Sequence, residues 1–129
     1  MKKTIIMTHG DFGKELLKSV EMIVGKLEDA CAISLKPGDS PEELKKRLLE
    51  AMKGAEQVMV FTDMYGGTPF NVSVDVLQNR YFHLVTGVNM PMLLDYFMKD
   101  EVDIDELVEA SKNTLVFVNK EMGHLQEEE

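Results

Sequence analysis

The stretch TIIMTHGDFGKELLKSVEMIV, residues 4–24, decides the fold class, because it joins a buried strand to an amphipathic helix through a short turn. Its first five residues are largely apolar without strict alternation, which is typical of a strand covered on both faces. Apolar side chains then recur at helical spacing and form one stripe, at Phe12, Leu16, Leu17, Val20, Ile23 and Val24. A buried strand followed at once by such a helix indicates an α/β fold.

The same alternation of strand and helix continues along the chain. Apolar runs at residues 30–35, 57–62 and 81–85 predict three more strands, and TLVFVN at residues 114–119 predicts a fifth. Helices are predicted between them, with N-caps at Ser40, Thr68, Asn89 and Asp103. Parallel strands joined by helical crossovers form a doubly wound sheet, for which we predict the common strand order 2-1-3-4. With 129 residues, we expect one domain with its own core.

Composition excludes several classes of protein. The formal net charge is −9 and the basic residues form no cluster, so nucleic acid is not expected as a partner. No run is long enough to span a bilayer, and polar residues interrupt MKKTIIMTHGD too soon for a secretory signal. The single cysteine, Cys31, is unable to form an internal disulfide, which fits a reducing cytoplasm. Nucleotide-loop motifs and metal-ligand spacings are missing, so we expect no metal and no cofactor.

Candidate chemistry gathers at the carboxyl edge of the predicted sheet. His9 follows the first strand and Asp63 follows the third, and these two strands are neighbours in the order 2-1-3-4. A carboxylate that accepts a hydrogen bond from one ring nitrogen orients an imidazole and leaves the other nitrogen free as a nucleophile. His83 lies within a predicted strand, so we expect it to be satisfied in or under the sheet.

The motif GGTP, residues 66–69, supplies a place for an anion. Gly66 and Gly67 precede a helix predicted to begin near Thr68, where free backbone N–H groups and the positive end of the helix dipole can hold a phosphate. An orienting carboxylate, a nucleophilic imidazole and a phosphate cradle together predict a phosphohistidine site at His9. The stretch GVNMP, residues 87–91, is expected to form a wall of this site or only a turn and helix cap.

These stretches carry a family resemblance. In order and spacing, MTHGDFGKELLKS, TDMYGGTPFN and TGVNMPMLL resemble the enzyme IIA component of the mannose family of the bacterial phosphoenolpyruvate-dependent sugar phosphotransferase system (PTS). The resemblance implies a phosphotransferase in which His9 accepts a phosphoryl group from the phosphocarrier protein HPr and passes it to a histidine of the IIB component. Asp63 would orient His9. The phosphoryl group would be bound by Thr68, Gly66, Gly67 and Gly10.

The resemblance also implies a domain, a location and an assembly. Residues 1–120 would form the mannose-type IIA domain, and residues 121–129 an acidic tail. The protein would be cytoplasmic and peripheral to a membrane sugar transporter, whose IIC and IID components it serves indirectly. Nothing in the sequence covers the predicted strand at residues 114–119, and the family implies a homodimer that exchanges this strand, which adds antiparallel to the partner's sheet.

Several alternatives remain open. A related IIA component that serves dihydroxyacetone phosphorylation shares the fold and the histidine but lacks the GGTPFN continuation. A signalling receiver domain would be phosphorylated on Asp63 itself, with Lys120 as the cation, although THGD stands here in place of the acidic pair that holds Mg²⁺ in receivers. A plain ligand-binding module would use His9 and Asp63 to recognise a small anion without covalent chemistry. Within the PTS interpretation, the sugar is left open among mannose, fructose, sorbose, an amino sugar and other hexose derivatives.

Overall fold

The computed structural model describes residues 1–123 of the chain. Four parallel strands form one sheet in the order β2-β1-β3-β4, with bounds β1 (Lys2–His9), β2 (Ala30–Leu35), β3 (Gln57–Thr62) and β4 (His83–Thr86). The helices are α1 (Phe12–Val24), α2 (Pro41–Met52), α3 (Thr68–Leu77), α4 (Met90–Phe97), α5 (Ile104–Lys112) and α6 (Val118–Glu121). The predicted α/β class and strand order are confirmed.

Both faces of the sheet are covered, as its apolar strands require. Residues of β1 alternate between the faces, so that Ile5 and Met7 pack with α2 and α3, whereas Ile6 packs with α1, α4 and α5. All three side chains are fully buried. Burial of a side chain of this size contributes about 1.5–3 kcal/mol relative to exposure. The core therefore lies in two layers, and the central strand β1 is held from both sides.

The winding of the chain reverses between β1 and β3. From β1 the chain crosses to β2 on one side, and from β3 it crosses to β4 on the other. The helices that follow these two central strands, α1 and α3, pack on opposite faces of the sheet. The loops after β1 and β3 therefore diverge at the carboxyl edge and leave a crevice between them.

Most of the predicted helix starts are capped as expected. A side-chain oxygen accepts a hydrogen bond from the backbone N–H three residues further on at Ser40, Asn89 and Asp103. Helix α3 differs from the prediction, because Gly67 is its N-cap and Thr68 is its first helical residue. The hydroxyl of Thr68 is therefore not used for capping.

Two apolar residues of α1 that were predicted to face the core are exposed. Phe12 is 50% exposed and Ile23 is 61% exposed, whereas Gly13 and Val20 are buried. At 100° per residue, the buried pair lies about 80–100° around the helix axis from Phe12. The reason is the close approach at Gly13, where a Cβ atom would lie 2.9 Å from Ile6 Cγ2. This approach turns the face that contains Phe12 and Ile23 towards solvent.

The fifth strand predicted at residues 114–119 does not form within the single chain. Residues 114–117 pair with no strand in the described part of the chain, and Val118–Glu121 forms the short helix α6. The prediction is wrong for the isolated chain because an apolar, β-prone segment becomes a strand only beside a neighbour that completes its ladder of hydrogen bonds. The side chains of residues 115–118 are exposed. Most of the predicted acidic tail, residues 124–129, lies outside the described residues.

Strand β4 is shorter at its start than predicted and lies at an edge of the sheet. It begins at His83 rather than at residue 81, and it ends at Thr86. His83 is exposed, with its ring edge-on to Tyr81 at a centroid distance of 5.4 Å. His83 therefore lies in the sheet, as expected, but its side chain is exposed rather than buried. Because His83 is the first residue of a parallel strand, it lies at the amino edge of the sheet. His9, the last residue of β1, lies at the opposite, carboxyl edge.

Candidate functional site

The structure brings His9 and Asp63 together at the carboxyl edge of the sheet. His9 is the last residue of β1, and Asp63 follows the last residue of the neighbouring strand β3. Parallel pairing of these strands places Met7 opposite Thr62 and so sets the side chains of His9 and Asp63 side by side. The distance from His9 Nδ1 to Asp63 Oδ2 is 2.8 Å.

The contact with Asp63 fixes the imidazole of His9. Asp63 Oδ2 also accepts the backbone N–H of His9, at 3.0 Å, so one oxygen holds both the ring and the chain. Because a carboxylate only accepts hydrogen bonds, Nδ1 carries the proton and Nε2 keeps a free electron pair. The side chain of His9 is 46% exposed and that of Asp63 is 13% exposed. The carboxylate is thus sheltered, while the imidazole is open to solvent.

The start of α3 lies against the free nitrogen of His9. A Cβ atom on Gly67 would lie 2.8 Å from His9 Cε1 and 3.4 Å from Nε2. The φ angle of Gly67 is −79°, which any residue adopts, so glycine is required here for space. Gly66 is different, because its φ angle of +86° lies in the left-handed region that favours glycine. The two glycines together turn the chain and bring the helix start to the imidazole.

The first turn of α3 offers hydrogen-bond donors at this point. Backbone N–H groups in the first turn of a helix have no intrahelical acceptor, and Thr68 and Phe70 lie in that turn, whereas Pro69 has no N–H. The Thr68 hydroxyl is a further donor, because it takes no part in capping. The helix dipole adds partial positive charge at the same end. An anion bonded to Nε2 would therefore meet oriented donors and a favourable field.

The turn between β1 and α1 is held by its own hydrogen bonds. Gly10 has a φ angle of +54°, and its N–H donates to the carbonyl of Leu35 at 2.7 Å. The backbone amide of Gly10 is therefore already engaged within the fold. The buried hydroxyl of Thr8 accepts the N–H of Gly13 at 2.7 Å, which anchors the start of α1. These contacts position the backbone on either side of His9.

A polar cluster ties the same turn to the end of β2. One carboxylate oxygen of Asp11 accepts hydrogen bonds from the Ser34 hydroxyl at 2.8 Å and from the Lys36 ammonium at 2.7 Å. The hydrogen bond from Lys36, and then that from Ser34, lowers the pKa of Asp11 below its ordinary value. Each exposed contact of this kind is weak. Together with the bond from Gly10, they fasten the residues just after His9 to a neighbouring strand.

The loop between β4 and α4 forms a turn and helix cap, one of the two roles expected for it. Gly87 has a φ angle of +86°, and its N–H donates to the carbonyl of Thr62 at 3.0 Å. Asn89 caps α4 and also donates from its side-chain amide to the carbonyl of Gly87 at 3.2 Å. The hydroxyls of Thr62 and Thr86 are hydrogen-bonded at 2.8 Å. These bonds hold the end of β3, immediately before Asp63.

The second carboxylate oxygen of Asp63, Oδ1, is buried. It has no hydrogen-bond partner within residues 1–123. A buried acceptor left unsatisfied costs about 1–3 kcal/mol, and more when it is charged. Within residues 1–123, His9 is the only group that can carry positive charge within 4 Å of this carboxylate, through Oδ2 at 2.8 Å, so the carboxylate is suited to stabilise positive charge on that ring.

Exposed apolar side chains flank the site. Phe12 begins α1 just after the His9 turn, and Met64 and Tyr65 lie in the loop after β3, where they are 55% and 78% exposed. Tyr65 packs on Phe70 with a distance of 4.6 Å between ring centroids. The sequence pattern assigned Phe12 to the core and gave Met64 and Tyr65 no role. Exposed apolar side chains beside a reactive group are typical of a surface on which a protein partner docks.

Three further observations concern the chain outside this crevice. Within residues 1–123, no group of His, Cys, Asp and Glu side chains is arranged to hold a metal ion. No helix in this part of the chain has both the length and the apolar composition needed to cross a bilayer. Cys31 is half-buried in β2, and burial raises the pKa of its thiol, which makes the reactive thiolate less available.

Comparison with known sequences points to one family. Residues 3–112 match the family described as "PTS system fructose IIA component". The chain is 34% identical over 116 residues to the PTS system mannose-specific EIIAB component of Escherichia coli (strain K12), with 85% of this chain and 36% of that protein covered. It is 27% identical over 117 residues to the PTS system fructose-specific EIIA component of Bacillus subtilis (strain 168), with 87% and 80% covered. The chain thus spans about a third of the length of the Escherichia coli relative.

Solved structures give the same picture. The PTS IIA protein associated with the fucose utilization operon from Streptococcus pneumoniae matches with a TM-score of 0.87 at 25% sequence identity, covering 94% of this chain and 96% of that chain. The mannose/sorbose specific IIA subunit from Enterococcus faecalis matches with a TM-score of 0.80 at 30% identity, covering 90% and 94%. The similarity therefore extends over nearly the whole chain.

Proposed function

As the chain belongs to the mannose-type family of PTS IIA components, we propose that it is a phosphocarrier of sugar uptake. His9 accepts a phosphoryl group from HPr and passes it to a IIB component. The observation that carries the proposal is the contact of His9 Nδ1 with Asp63 Oδ2, which leaves Nε2 free against the start of α3. A histidine held by a carboxylate at the positive end of a helix can be both a nucleophile and a carrier of phosphate.

Each transfer is an in-line displacement at phosphorus. The electron pair of His9 Nε2 forms a new N–P bond while the P–N bond to the donor histidine breaks, and the donor ring keeps the electron pair of the broken bond. His9 is then a phosphorylated imidazolium whose Nδ1–H is bonded to Asp63. In the second transfer, a histidine of the IIB component attacks and the N–P bond to His9 breaks. The protein contributes mainly position and charge stabilisation to such steps.

Asp63 and the start of α3 act on opposite sides of the imidazole. The carboxylate compensates the positive charge of the phosphorylated ring, and the first turn of α3 donates hydrogen bonds to the phosphoryl oxygens. We assign the second role to Thr68 and to the backbone around Gly66 and Gly67. Gly10 is left out of this set, because its N–H donates to the carbonyl of Leu35.

Donor and acceptor dock on the same face in this scheme. Both must reach Nε2, so HPr and the IIB component bind one after the other over the exposed apolar side chains of Phe12, Met64 and Tyr65. The chain then works in the cytoplasm beside a membrane transporter, whose IIC and IID components it serves only through IIB. Its partners present histidines to this site and no sugar enters it. The named sugars of the relatives, mannose and fructose, are therefore not distinguished by these residues.

A homodimer is the second part of the proposal. The apolar residues 115–118 are exposed in the single chain, and β4 is an edge strand of its sheet. Pairing of residues 114–119 as an antiparallel strand on a partner's sheet would bury both features. In this arrangement residues 1–120 form the domain, and residues 121–129 follow it as an acidic tail.

The proposed function is tested by reconstitution with phosphoenolpyruvate, enzyme I and HPr. We expect one phosphoryl group per chain, bound through a bond that is labile in acid and stable in alkali, as a phosphoramidate is. His9→Ala should abolish the label, whereas the control His83→Ala, at the opposite edge of the sheet, should keep it. Label that is labile in alkali, or that persists in His9→Ala, would favour a receiver phosphorylated on Asp63. Binding of phosphate without transfer would favour a plain ligand-binding module.

The role of Asp63 is tested by Asp63→Asn. An amide of the same size keeps the packing, but it no longer compensates the positive ring, so we expect transfer to slow about a hundredfold, or about 3 kcal/mol in the barrier. The measurement is the single-turnover rate from phosphorylated HPr, with the circular dichroism spectrum as the control for folding. A folded variant that transfers at the wild-type rate would show that the carboxylate only supports the structure.

A further inference from the structure

Asn71 makes a contact that crosses from α3 to the loop before it. Its side-chain Nδ2 donates to the carbonyl of Gly66 at 3.1 Å, and its backbone N–H donates to the carbonyl of Gly67 at 2.9 Å. The residue itself is exposed. Helix propensity does not favour asparagine at this position, because alanine, leucine or lysine is more stable within a helix. Helix stability therefore does not account for Asn71, and its hydrogen bond to the Gly66 carbonyl is the contact that does.

The carbonyl of Gly66 belongs to the same peptide unit as the N–H of Gly67. In a trans peptide these two bonds point in opposite directions, and no cis peptide is present in the described residues. Since both flanking residues are glycines, and Gly66 already has a φ angle of +86°, side chains set few limits on how this peptide rotates. The hydrogen bond from Asn71 selects the orientation with the carbonyl towards α3 and the N–H on the far side.

The peptide that Asn71 holds lies beside the reactive nitrogen. The position of a Cβ atom on Gly67 is only 3.4 Å from His9 Nε2. In the orientation selected, the N–H of Gly67, which makes no backbone hydrogen bond within residues 1–123, can serve phosphoryl oxygens. A rotated peptide would turn its carbonyl oxygen, with partial negative charge, towards the same region. The orientation of this one peptide therefore decides whether the loop attracts or repels the transferred group.

We propose that Asn71 is a positioning residue for phosphoryl transfer. By holding the Gly66 carbonyl it fixes the Gly66–Gly67 peptide, so that the N–H of Gly67 donates to a phosphoryl group on His9. The proposal rests on the proposed function of His9 and adds a residue to it. It also explains why an exposed side chain of α3 turns back to the loop instead of extending into solvent.

The kinetic test uses Asn71→Ala, which removes the amide donor, adds no charge and suits a helix better than asparagine. Transfer from phosphorylated HPr is followed in single turnovers at increasing HPr concentration. We expect the maximal rate to fall about tenfold, since loosening a donor costs less than the 10²–10³ lost by removing one. The HPr concentration at half-maximal rate should stay within about twofold, because the docking face is unchanged. Gln78→Ala, an exposed amide at the other end of α3, is the matched control and should keep the wild-type rate.

A second readout follows the amide resonance of Gly67 by NMR. In the wild type this resonance should move downfield on phosphorylation of His9, and in Asn71→Ala that shift should be largely lost. Asn71→Leu removes the donor without adding charge and also suits a helix, so it gives the same readout if the alanine variant fails to fold. A wild-type rate and shift in these variants, or no Gly67 shift in the phosphorylated wild type, overturns the role of Asn71 alone. A wild type that HPr does not phosphorylate on His9 overturns the proposed function as well.

Discussion

At the scale of the residue, the two glycines of GGTP solve different problems in the same turn. Gly66 has a positive φ angle that side chains disfavour, whereas Gly67 has an ordinary φ angle and lacks only room for a Cβ atom. The missing atom is the one that would touch the imidazole of His9. Gly66 is thus required for the backbone conformation, and Gly67 is required for the close approach to the imidazole.

Gly67→Ala tests this distinction. The new Cβ atom would lie 2.8 Å from His9 Cε1, so either the ring or the helix start must shift. We expect phosphorylation by HPr to slow about a hundredfold, because a displacement of about 1 Å in a reacting group has a cost of that size. The rate is measured in single turnovers, and thermal unfolding shows whether the fold is kept.

The control for this experiment is Gly54→Ala, in the turn after α2. Its φ angle of +78° also strains an alanine, but the added Cβ atom meets nothing within 4 Å. Stability should fall while the transfer rate stays unchanged. Normal transfer by Gly67→Ala would mean that the start of α3 yields easily and that its distance from His9 is not critical.

At the scale of the element, the crevice is built from strand ends that are tied to one another. The turn after β1 is bonded to the end of β2 through Gly10 and Asp11, and the end of β3 is bonded to the end of β4 through Thr62. The ends of β1 and β3 are joined across the crevice by the contact of His9 with Asp63. The site is therefore positioned by the sheet rather than by any one loop.

The link between Asp11 and Lys36 predicts a dependence of stability on pH. The pKa of Asp11 is lowered from 3.8 in the folded chain, first by the hydrogen bond from Lys36. A lowered folded-state pKa stabilises the fold fully above the unfolded value and is lost as the pH falls through the folded value. Asp11→Asn should therefore lower the melting temperature slightly and by a constant amount from about pH 7 to about pH 5, and this difference should shrink as the pH falls below 3.8 and vanish below the lowered pKa of the folded state.

The measurement is thermal unfolding by circular dichroism over this pH range. Glu28→Gln, which removes an exposed carboxylate in the loop after α1, is the control variant. A difference between Asp11→Asn and the wild type that grows as the acid range is entered would have the wrong sign. It would show that the Asp11 carboxylate destabilises the folded turn.

At the scale of the whole molecule, residues 115–118 differ from the rest of the chain in the exposure of their apolar side chains. Most apolar residues of the sheet and of its five larger helices pack in the two core layers, whereas residues 115–118 are all exposed, up to 92% at Leu115. If a partner covers an apolar run of this kind, the run is exposed in the isolated chain and buried in the assembly. Residues 115–118 are thus the segment that the proposed homodimer would cover.

Light scattering of the full chain and of a chain stopped after Lys112 tests the exchanged-strand dimer. The full chain should be a dimer at micromolar concentration and the shortened chain a monomer, because the truncation removes the segment to be exchanged. Phe117→Asp should weaken the dimer without shortening the chain, since a charge would then be buried at the interface. A monomeric full chain, or a dimer that survives the truncation unchanged, would contradict the model of strand exchange.

The amino-acid sequence by itself determined the α/β class, the strand order and the pair His9 and Asp63. Local patterns suffice for these, because apolar runs, caps and turn residues act within a few positions of one another, and the crossover rule then leaves few topologies. His83 and Phe12 show where this reasoning stops. Both look like core residues in their local pattern, yet their exposure depends on which edge a strand occupies and on how a helix is rotated against the sheet.

Only the tertiary structure decided the details of the site. The clearance at Gly67, the engaged N–H of Gly10 and the bond from Asn71 to Gly66 are distances between groups that the sequence does not relate. The same holds for residues 114–119, where a strand-like pattern finds no neighbour in the single chain. A sequence sets the preferences of each segment, but hydrogen bonds and close contacts form only when segments meet, and their geometry is a property of the assembled fold.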